Sequence, residues 1–139
     1  MGFFKHFFSG KQDKPDTTPQ RSEQKNFDIF KYDGMRAQRM GRWDYAERCY
    51  LEALKLQADF ETQGYLVQLY TQTNRLDEAH QLLLQMAAAE PTHVDTLLHL
   101  AQICYMQEDY AGMADAARRA IALDESLAVA HYLLGVRPT

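Results

Sequence analysis

Apolar residues recur at helical spacing through most of the chain, and polar or turn-forming residues interrupt them at regular intervals. Beyond residue 26, apolar stripes at three- and four-residue steps predict six helices joined by short connections. The predicted ranges are 28–40, 44–57, 61–73, 77–89, 95–107 and 111–123, followed by the apolar stretch AVAHYLLGV at 128–136. We therefore expect an all-α chain.

The helical stretches repeat along the chain. GRWDYAERCYLEALKL, NRLDEAHQLLLQMAAAEP and EDYAGMADAARRAIALDE occupy 41–56, 74–91 and 108–125, so their starting points recur at a nearly constant interval. A period of roughly 34 residues indicates helix pairs stacked into a solenoid, because one pair cannot bury its apolar face alone. Small residues are expected where the two helices of a pair approach most closely, and Gly34, Ala46, Ala79 and Ala101 fit this role.

The repeats resemble those of the tetratricopeptide repeat (TPR) family. The pattern is a Leu-Gly pair and a Tyr in the first helix of each unit, then Ala and Pro. Departures are Asp33 in place of Leu, Val67 in place of Gly or Ala, and Met113 in place of Ala. The matching residues are Ala46, Tyr50 and Ala53 in the first unit, Leu66, Tyr70, Ala79 and Pro91 in the second, Leu100, Ala101, Tyr110, Ala120 and Leu123 in the third, and Leu134 with Gly135 in a fourth.

The resemblance implies a right-handed α-solenoid of about three and a half helix-turn-helix units over residues 27–137. The predicted units are 27–59, 60–93 and 94–127, with 128–137 as a partial fourth repeat or a capping helix. The apolar face of the last stretch favours a cut from a longer array, or pairing with another chain that can be a second copy of this one.

Residues 1–26 differ in composition from the rest of the chain. Residues 11–26 are polar and contain two prolines, so we expect a disordered linker. Residues 1–10 form a tip with Phe3, Phe4, Phe7 and Phe8 on one face of a helical projection. These aromatics could dip weakly into a membrane surface, occupy a groove on the repeats, bind a partner, or belong to a frayed terminus. Lys5 and His6 argue against a signal peptide.

Charge and candidate chemistry exclude several function classes. The net charge is −4, and the repeats hold no basic stripe, so nucleic acid is not an expected partner. The five histidines form no ligand pair with one another or with cysteine, so no metal and no cofactor are predicted. Asp77-Glu78-Ala79-His80 imitates a helicase box but lacks the phosphate-binding loop that the chemistry needs. Because no carboxylate pair stands in apolar surroundings, we predict no catalytic residues and no enzyme.

Recognition of another protein is the remaining interpretation. In tetratricopeptide proteins the first helix of each unit lines a concave groove, which suits an extended peptide or an amphipathic helix. For single residues, packing between neighbouring helices is an equally good interpretation. The resemblance implies these partner-binding residues: Lys31, Tyr32, Met35, Gln38, Arg39, Tyr65, Gln68, Gln72, Leu98, His99, Gln102, Tyr105, Met106 and Tyr132.

The charge of the groove limits its ligand. Family members that clamp the acidic tails of chaperones use Lys, Asn and Arg, and only Lys31 matches that set. Asp28, Glu61 and Asp95 begin the three lining helices and would repel an anionic peptide, so we expect a neutral or basic ligand. The chain is therefore interpreted as a cytoplasmic adaptor, scaffold or co-chaperone. The alternative is a structural assembly or membrane-tethering protein, peripheral to the inner face of a membrane, that uses the tip and the open repeat end.

Overall fold

A computed structural model describes residues 18–127 together with Tyr132 and Gly135. The described residues form helices in antiparallel pairs, and we call the first helix of each pair an A helix and the second a B helix. The A helices are α1 (Pro19–Arg39), α3 (Phe60–Gln72) and α5 (Val94–Met106), and the B helices are α2 (Trp43–Leu56), α4 (Leu76–Ala89) and α6 (Tyr110–Leu123). Apart from the start of α1, every boundary lies within one residue of the sequence prediction.

The turn between the A and B helices is the same in all three pairs. Gly41, Asn74 and Glu108 occupy equivalent positions and have positive φ angles of 74°, 58° and 62°. A left-handed residue ends a helix by redirecting the chain, and glycine adopts this conformation at the lowest cost. The three units therefore share the same backbone conformation at this turn position, although only the first unit has glycine there.

The helices stack in chain order around a main apolar core. Each helix packs against the next one along the chain, and α1 also contacts α3. Ala46, Ala79 and Ala101 are completely buried at the contacts between helices. At Gly34, a Cβ atom would lie 2.7 Å from the ring of Tyr50, so α1 and α2 approach each other too closely for a larger residue. The small residues that the repeat pattern selected are thus required by packing.

A second apolar cluster lies at the α5–α6 end of the described residues. It is built from Ala87, Leu97, Ala117 and Ala120, with Leu98, Ile121 and Leu127 packed against it. The partial fourth repeat predicted for 128–137 lies outside the described residues except for Tyr132 and Gly135, which are both exposed.

Helix α1 begins eight residues before the end of the segment that the sequence predicted as a disordered linker. That prediction is wrong for residues 19–26, which are helical and exposed. Thr18 caps the helix by accepting a hydrogen bond from the backbone N–H of Arg21, and Pro19 takes the first helical position. Both residues favour a helix start. Residues 1–17, which include the predicted tip, lie outside the described residues.

Candidate functional site

The A helices α3 and α5 enclose a cavity of about 820 Å³, which we call the groove. Its floor is apolar and is formed by Val67, Met86 and Ile103, each of which is at least 96% buried. Exposed polar side chains, among them Gln68 and Gln102, line its sides. An apolar floor with a few polar groups around it is the usual composition of a protein ligand site, and the volume lies in the usual range for one.

Gly64 leaves the groove open. The equivalent positions in the other two A helices hold Lys31 and Leu98, and both of these side chains pack towards neighbouring elements. At Gly64 itself, a Cβ atom would have no neighbour within 4 Å. Glycine in a helix costs about 1 kcal/mol relative to alanine. No packing contact in the described residues accounts for that cost, whereas Gly34 is explained by Tyr50.

A smaller cavity of about 160 Å³ continues the groove towards α1. It shares Tyr65, Gln68 and Gln72 with the groove and adds Met35, Gln38, Arg39 and Tyr50. The Tyr50 hydroxyl donates to Gln38 Oε1 at 2.6 Å, and Gln38 Nε2 donates to Gln72 Oε1 at 2.8 Å. Burial raises the pKa of Tyr50, which keeps the hydroxyl protonated as a donor. This chain of hydrogen bonds fixes the orientation of two amide side chains, the half-buried Gln38 and the exposed Gln72.

Tyr50 and Tyr65 stack at the boundary between the two cavities. Their ring centroids lie 6.0 Å apart and their planes differ by 17°. Tyr50 belongs to the B helix α2 and is completely buried. The sequence prediction took groove residues from A helices only and therefore did not include it. Its side chain passes between α1 and α3 and supports the wall of the groove from behind.

The sequence predicted that Lys31 lines the groove, but in the structure it lies outside the cavity. Its Nζ lies 2.7 Å from Glu61 Oε1 and 3.1 Å from Asp59 Oδ2, and the residue is 8% exposed. Burial alone would lower the pKa of Lys31, but its hydrogen bonds to Glu61 and Asp59 outweigh that effect and raise the pKa. The ammonium group is therefore already neutralised within the protein. The residue that came closest to a carboxylate clamp is not available to an acidic ligand.

The structure assigns the predicted site residues to different environments. Tyr32 and Tyr105 are about half exposed outside the two cavities, and Tyr105 meets Tyr110 edge to face. Leu98 packs against the second apolar cluster, and Tyr132 is 81% exposed. The predicted residues that do line the two cavities are Met35, Gln38, Arg39, Tyr65, Gln68, Gln72, His99, Gln102 and Met106.

The mouth of the groove, at the start of α3 and α5, is acidic. Asp59, Glu61 and Asp95 bring three carboxylates to this edge against the single ammonium group of Lys31. Among the described residues, no cation lies within ion-pair distance of Asp95, which is exposed. Burial alone would raise the pKa of Asp59, but hydrogen bonds from Thr62 and Lys31 hold it below its ordinary value. The mouth therefore carries more negative than positive charge.

The sequence prediction also missed the residues that position the mouth. His93 begins α5 by accepting a hydrogen bond at Nδ1 from the backbone N–H of Thr96, and its ring meets Phe60 edge to face at 4.7 Å. Asp59 caps α3 at the equivalent position of the preceding repeat. The regular spacing of these two caps was visible in the sequence, but the capping role of a histidine was not.

A third cavity, of about 500 Å³, shares no lining residue with the groove and is called the B-face cavity. Residues of α2, α3 and α4 line it, including Leu51, Gln63 and Leu82. Within the described part of the chain, no group of three or more His, Cys, Asp or Glu side chains is placed to hold a metal ion. None of the described helices combines the length and apolarity needed to cross a bilayer.

The stacked helix pairs place this protein in the class of helical-repeat solenoids. Similar solved structures show which kind of helical repeat it contains. A crystal structure of a MamA protein matches with a TM-score of 0.73 and 27% identity, covering 79% of this chain and 61% of the MamA chain. The TPR domain of Arabidopsis OM64 matches with a TM-score of 0.69 and 18% identity over 81% of this chain and 94% of that domain.

A third similar structure is the first TPR of Spaghetti (RPAP3), bound to the HSP90 peptide SRMEEVD. It matches with a TM-score of 0.69 and 12% identity, over 80% of this chain and 89% of that one. No protein-family model matches the chain, and no curated protein is significantly similar to it. The chain spans less than two thirds of the MamA protein. Its fold is a solenoid of the tetratricopeptide type, as the repeat motifs predicted.

Proposed function

We propose that this chain is a non-enzymatic protein-interaction module, an adaptor, scaffold or co-chaperone, that binds a peptide or helix of a partner in the groove. The observation that carries the proposal is the 820 Å³ cavity that Gly64 leaves open between α3 and α5. A partner in this space would cover the apolar floor and would account for the glycine inside α3. Solenoids of this kind use their extended concave surfaces for binding.

The preferred ligand is neutral or basic and partly apolar. Glu61 and Asp95 face the mouth, and the ammonium group of Lys31 is taken by carboxylates of the protein itself. The acidic peptide bound by the Spaghetti domain is therefore a poor model for this ligand. A cytoplasmic location stays a prediction, as do a tethering role and self-association through the repeat end.

A random peptide library displayed on phage tests the proposal. Peptides selected on the full chain should be enriched in Lys or Arg together with aromatic or aliphatic residues. Gly64→Leu fills the groove and should weaken their binding at least tenfold. Gln63→Leu is the matched control, because it adds the same side chain one residue away, on the B-face cavity.

A second pair of variants tests the charge of the mouth. Asp95→Asn should weaken basic peptides several-fold, and more strongly at low salt. Asp44→Asn is its control, since both aspartates lie in the first turn of a helix and lose the same helix-dipole interaction. Selected peptides that are acidic, or that bind the Gly64→Leu and Gln63→Leu variants equally well, would refute the proposal.

A further inference from the structure

We propose that the chain's own Phe-rich N-terminal segment, residues 3–8, occupies the groove in the free protein and must be displaced by a partner. This inference rests on the proposed function of the groove, and it names the ligand that the site meets first. Four observations bear on it: the apolar floor, the charge at the mouth, the reach of the chain and the cost of Gly64.

The floor of the groove needs an apolar occupant. Val67, Met86 and Ile103 form a buried surface that opens to the cavity, with Met106 at its exposed side. A planar ring can lie against the bare helix backbone at Gly64, where no side chain intervenes. The N-terminal segment contributes four phenylalanines within six residues, which is more aromatic area than any other stretch of this length in the chain.

The charges of segment and mouth are complementary. The stretch MGFFKHFFSGK contains Lys5, His6 and Lys11 and no acidic residue. The mouth brings Asp59, Glu61 and Asp95 together against the single ammonium group of Lys31. A segment that combines rings with lysines matches both the floor and the mouth, whereas the B-face cavity has only the apolar component and the carboxylates of Asp77 and Glu78 at one end.

The chain is long enough to make the connection within one molecule. The start of α1 lies on the same side as the mouth, because Lys31 of α1 pairs with Asp59 and Glu61 at the start of α3. Two helix spacings of about 10 Å and the first eight residues of α1, about 12 Å, separate Thr18 from the groove by roughly 25 Å. The ten residues from Phe8 to Thr18 can span about 33 Å.

Tethering makes a weak site sufficient. A segment attached by a short linker has an effective concentration on the order of 1 mM at its own groove. Binding with an intrinsic Kd of about 0.1 mM would then keep the groove about 90% occupied, and an external peptide would bind about tenfold more weakly than to an empty groove. Only partners whose affinity is high enough to overcome this tenfold loss would displace the segment from the groove.

Methyl NMR of the full chain gives a direct test. The variant carries Phe3→Ser, Phe4→Ser, Phe7→Ser and Phe8→Ser, all outside the repeats. Removal of the docked rings should shift the methyl resonances of Met86, Ile103 and Met106, while Leu51 and Leu82 in the B-face cavity report the control surface. The shifts should not depend on protein concentration.

Three results of that measurement would overturn the inference. Unchanged groove methyls would show that the segment does not dock there, and shifts confined to Leu51 and Leu82 would put it in the B-face cavity. Shifts that grow with protein concentration would assign the segment to a second copy. Phe-dependent binding to phosphatidylcholine–phosphatidylglycerol vesicles with unchanged groove methyls would make the segment a membrane anchor instead.

A competition experiment separates this inference from the proposed function. A fluorescein-labelled peptide MGFFKHFFSGK should bind the four-serine variant about tenfold more tightly than the unsubstituted chain, and Gly64→Leu should abolish that binding while Gln63→Leu preserves it. If library-selected peptides bind both chains equally, self-occupancy is wrong and the proposed function stands. If the methyls shift and the MGFFKHFFSGK peptide binds the four-serine variant, but no library-selected peptide binds either chain, the proposed function is wrong and self-occupancy stands.

Discussion

Two helical glycines should respond in opposite ways to the same substitution. Gly34 and Gly64 both lie inside A helices, so alanine brings each helix the same intrinsic gain of about 1 kcal/mol. Their surroundings differ: a Cβ at Gly64 meets nothing within 4 Å, whereas a Cβ at Gly34 lies 2.7 Å from two ring atoms of Tyr50. Alanine at position 64 should therefore stabilise the protein, whereas the effect of alanine at position 34 depends on whether the Tyr50 ring can move away.

Tyr50 has little room to yield. It is completely buried, its hydroxyl donates to Gln38, and its ring stacks on Tyr65. Overpacking of a buried site costs about 1–3 kcal/mol, which exceeds the helix-propensity gain. We expect Gly34→Ala to lower the free energy of unfolding by up to about 2 kcal/mol, and Gly64→Ala to raise it by about 0.5–1 kcal/mol.

Urea unfolding followed by far-UV circular dichroism measures both changes in the same protein. One kcal/mol corresponds to a shift in Tm of about 4 °C for a domain of this size. In the four-serine variant, whose N-terminal segment lacks the rings that could fill the groove, a destabilising Gly64→Ala would mean that the repeats themselves occupy the space beside Gly64, and the groove would lose its basis. A Gly34→Ala that stabilises the protein as much as Gly64→Ala would mean that α1 and α2 can separate without cost, against the close packing described above.

Further predictions concern the ion pair, the turns and the hydrogen-bonded amides. Lys31→Met should lower the free energy of unfolding by about 1 kcal/mol, measured by urea unfolding, because it leaves Asp59 and Glu61 without a counter-ion, and it should tighten basic peptides in a binding titration. The lowered pKa of Asp59 gives stability that is present above the ordinary pKa of aspartate and is lost as the pH falls through the folded value, so urea midpoints should drop below about pH 4, and less so in Asp59→Asn. Glu108→Gly should raise Tm by a few degrees in a thermal melt, because a left-handed non-glycine residue costs about 1–2 kcal/mol; no increase would show that the turn is unstrained. Tyr50→Phe should cost about 1 kcal/mol in urea unfolding and disorder the Gln38 side chain, visible in its amide NMR signals.

Helix positions could be predicted from the sequence because their signals are local. The spacing of apolar residues and the turn residues Gly41 and Asn74 determine where each pair begins and ends. The start of α1 is harder to predict, because residues 19–26 are polar and only the Thr18-Pro19 pair signals that a helix begins there. An exposed helix without an apolar face of its own can form when it continues into one that has a buried face, here from Phe27 onwards.

The groove could be predicted only in part, because contacts between repeats decide which side chains remain available. Whether a lysine on an A helix can bind a ligand depends on the acidic residues near the start of the next A helix. Lys31 cannot, because it pairs with Asp59 and Glu61. Tyr50 belongs to a B helix and reaches the smaller cavity beside the groove only because Gly34 lets α1 and α2 approach closely. Such pairings are long-range and have no signature in the local pattern.

In a solenoid, a departure from the repeat is more informative than a match. The matching positions, such as Ala46 and Ala79, are buried between helices and serve the stacking that every unit shares. Lys31, Gly64 and Leu98 occupy one position of the repeat but differ in size and charge, and only the middle one leaves a space. Because stacking does not require that glycine, its cost of about 1 kcal/mol is best explained by what enters the groove. Restoring a side chain at Gly64 should therefore strengthen the fold and weaken its binding, and no single substitution at a stacking position should do both.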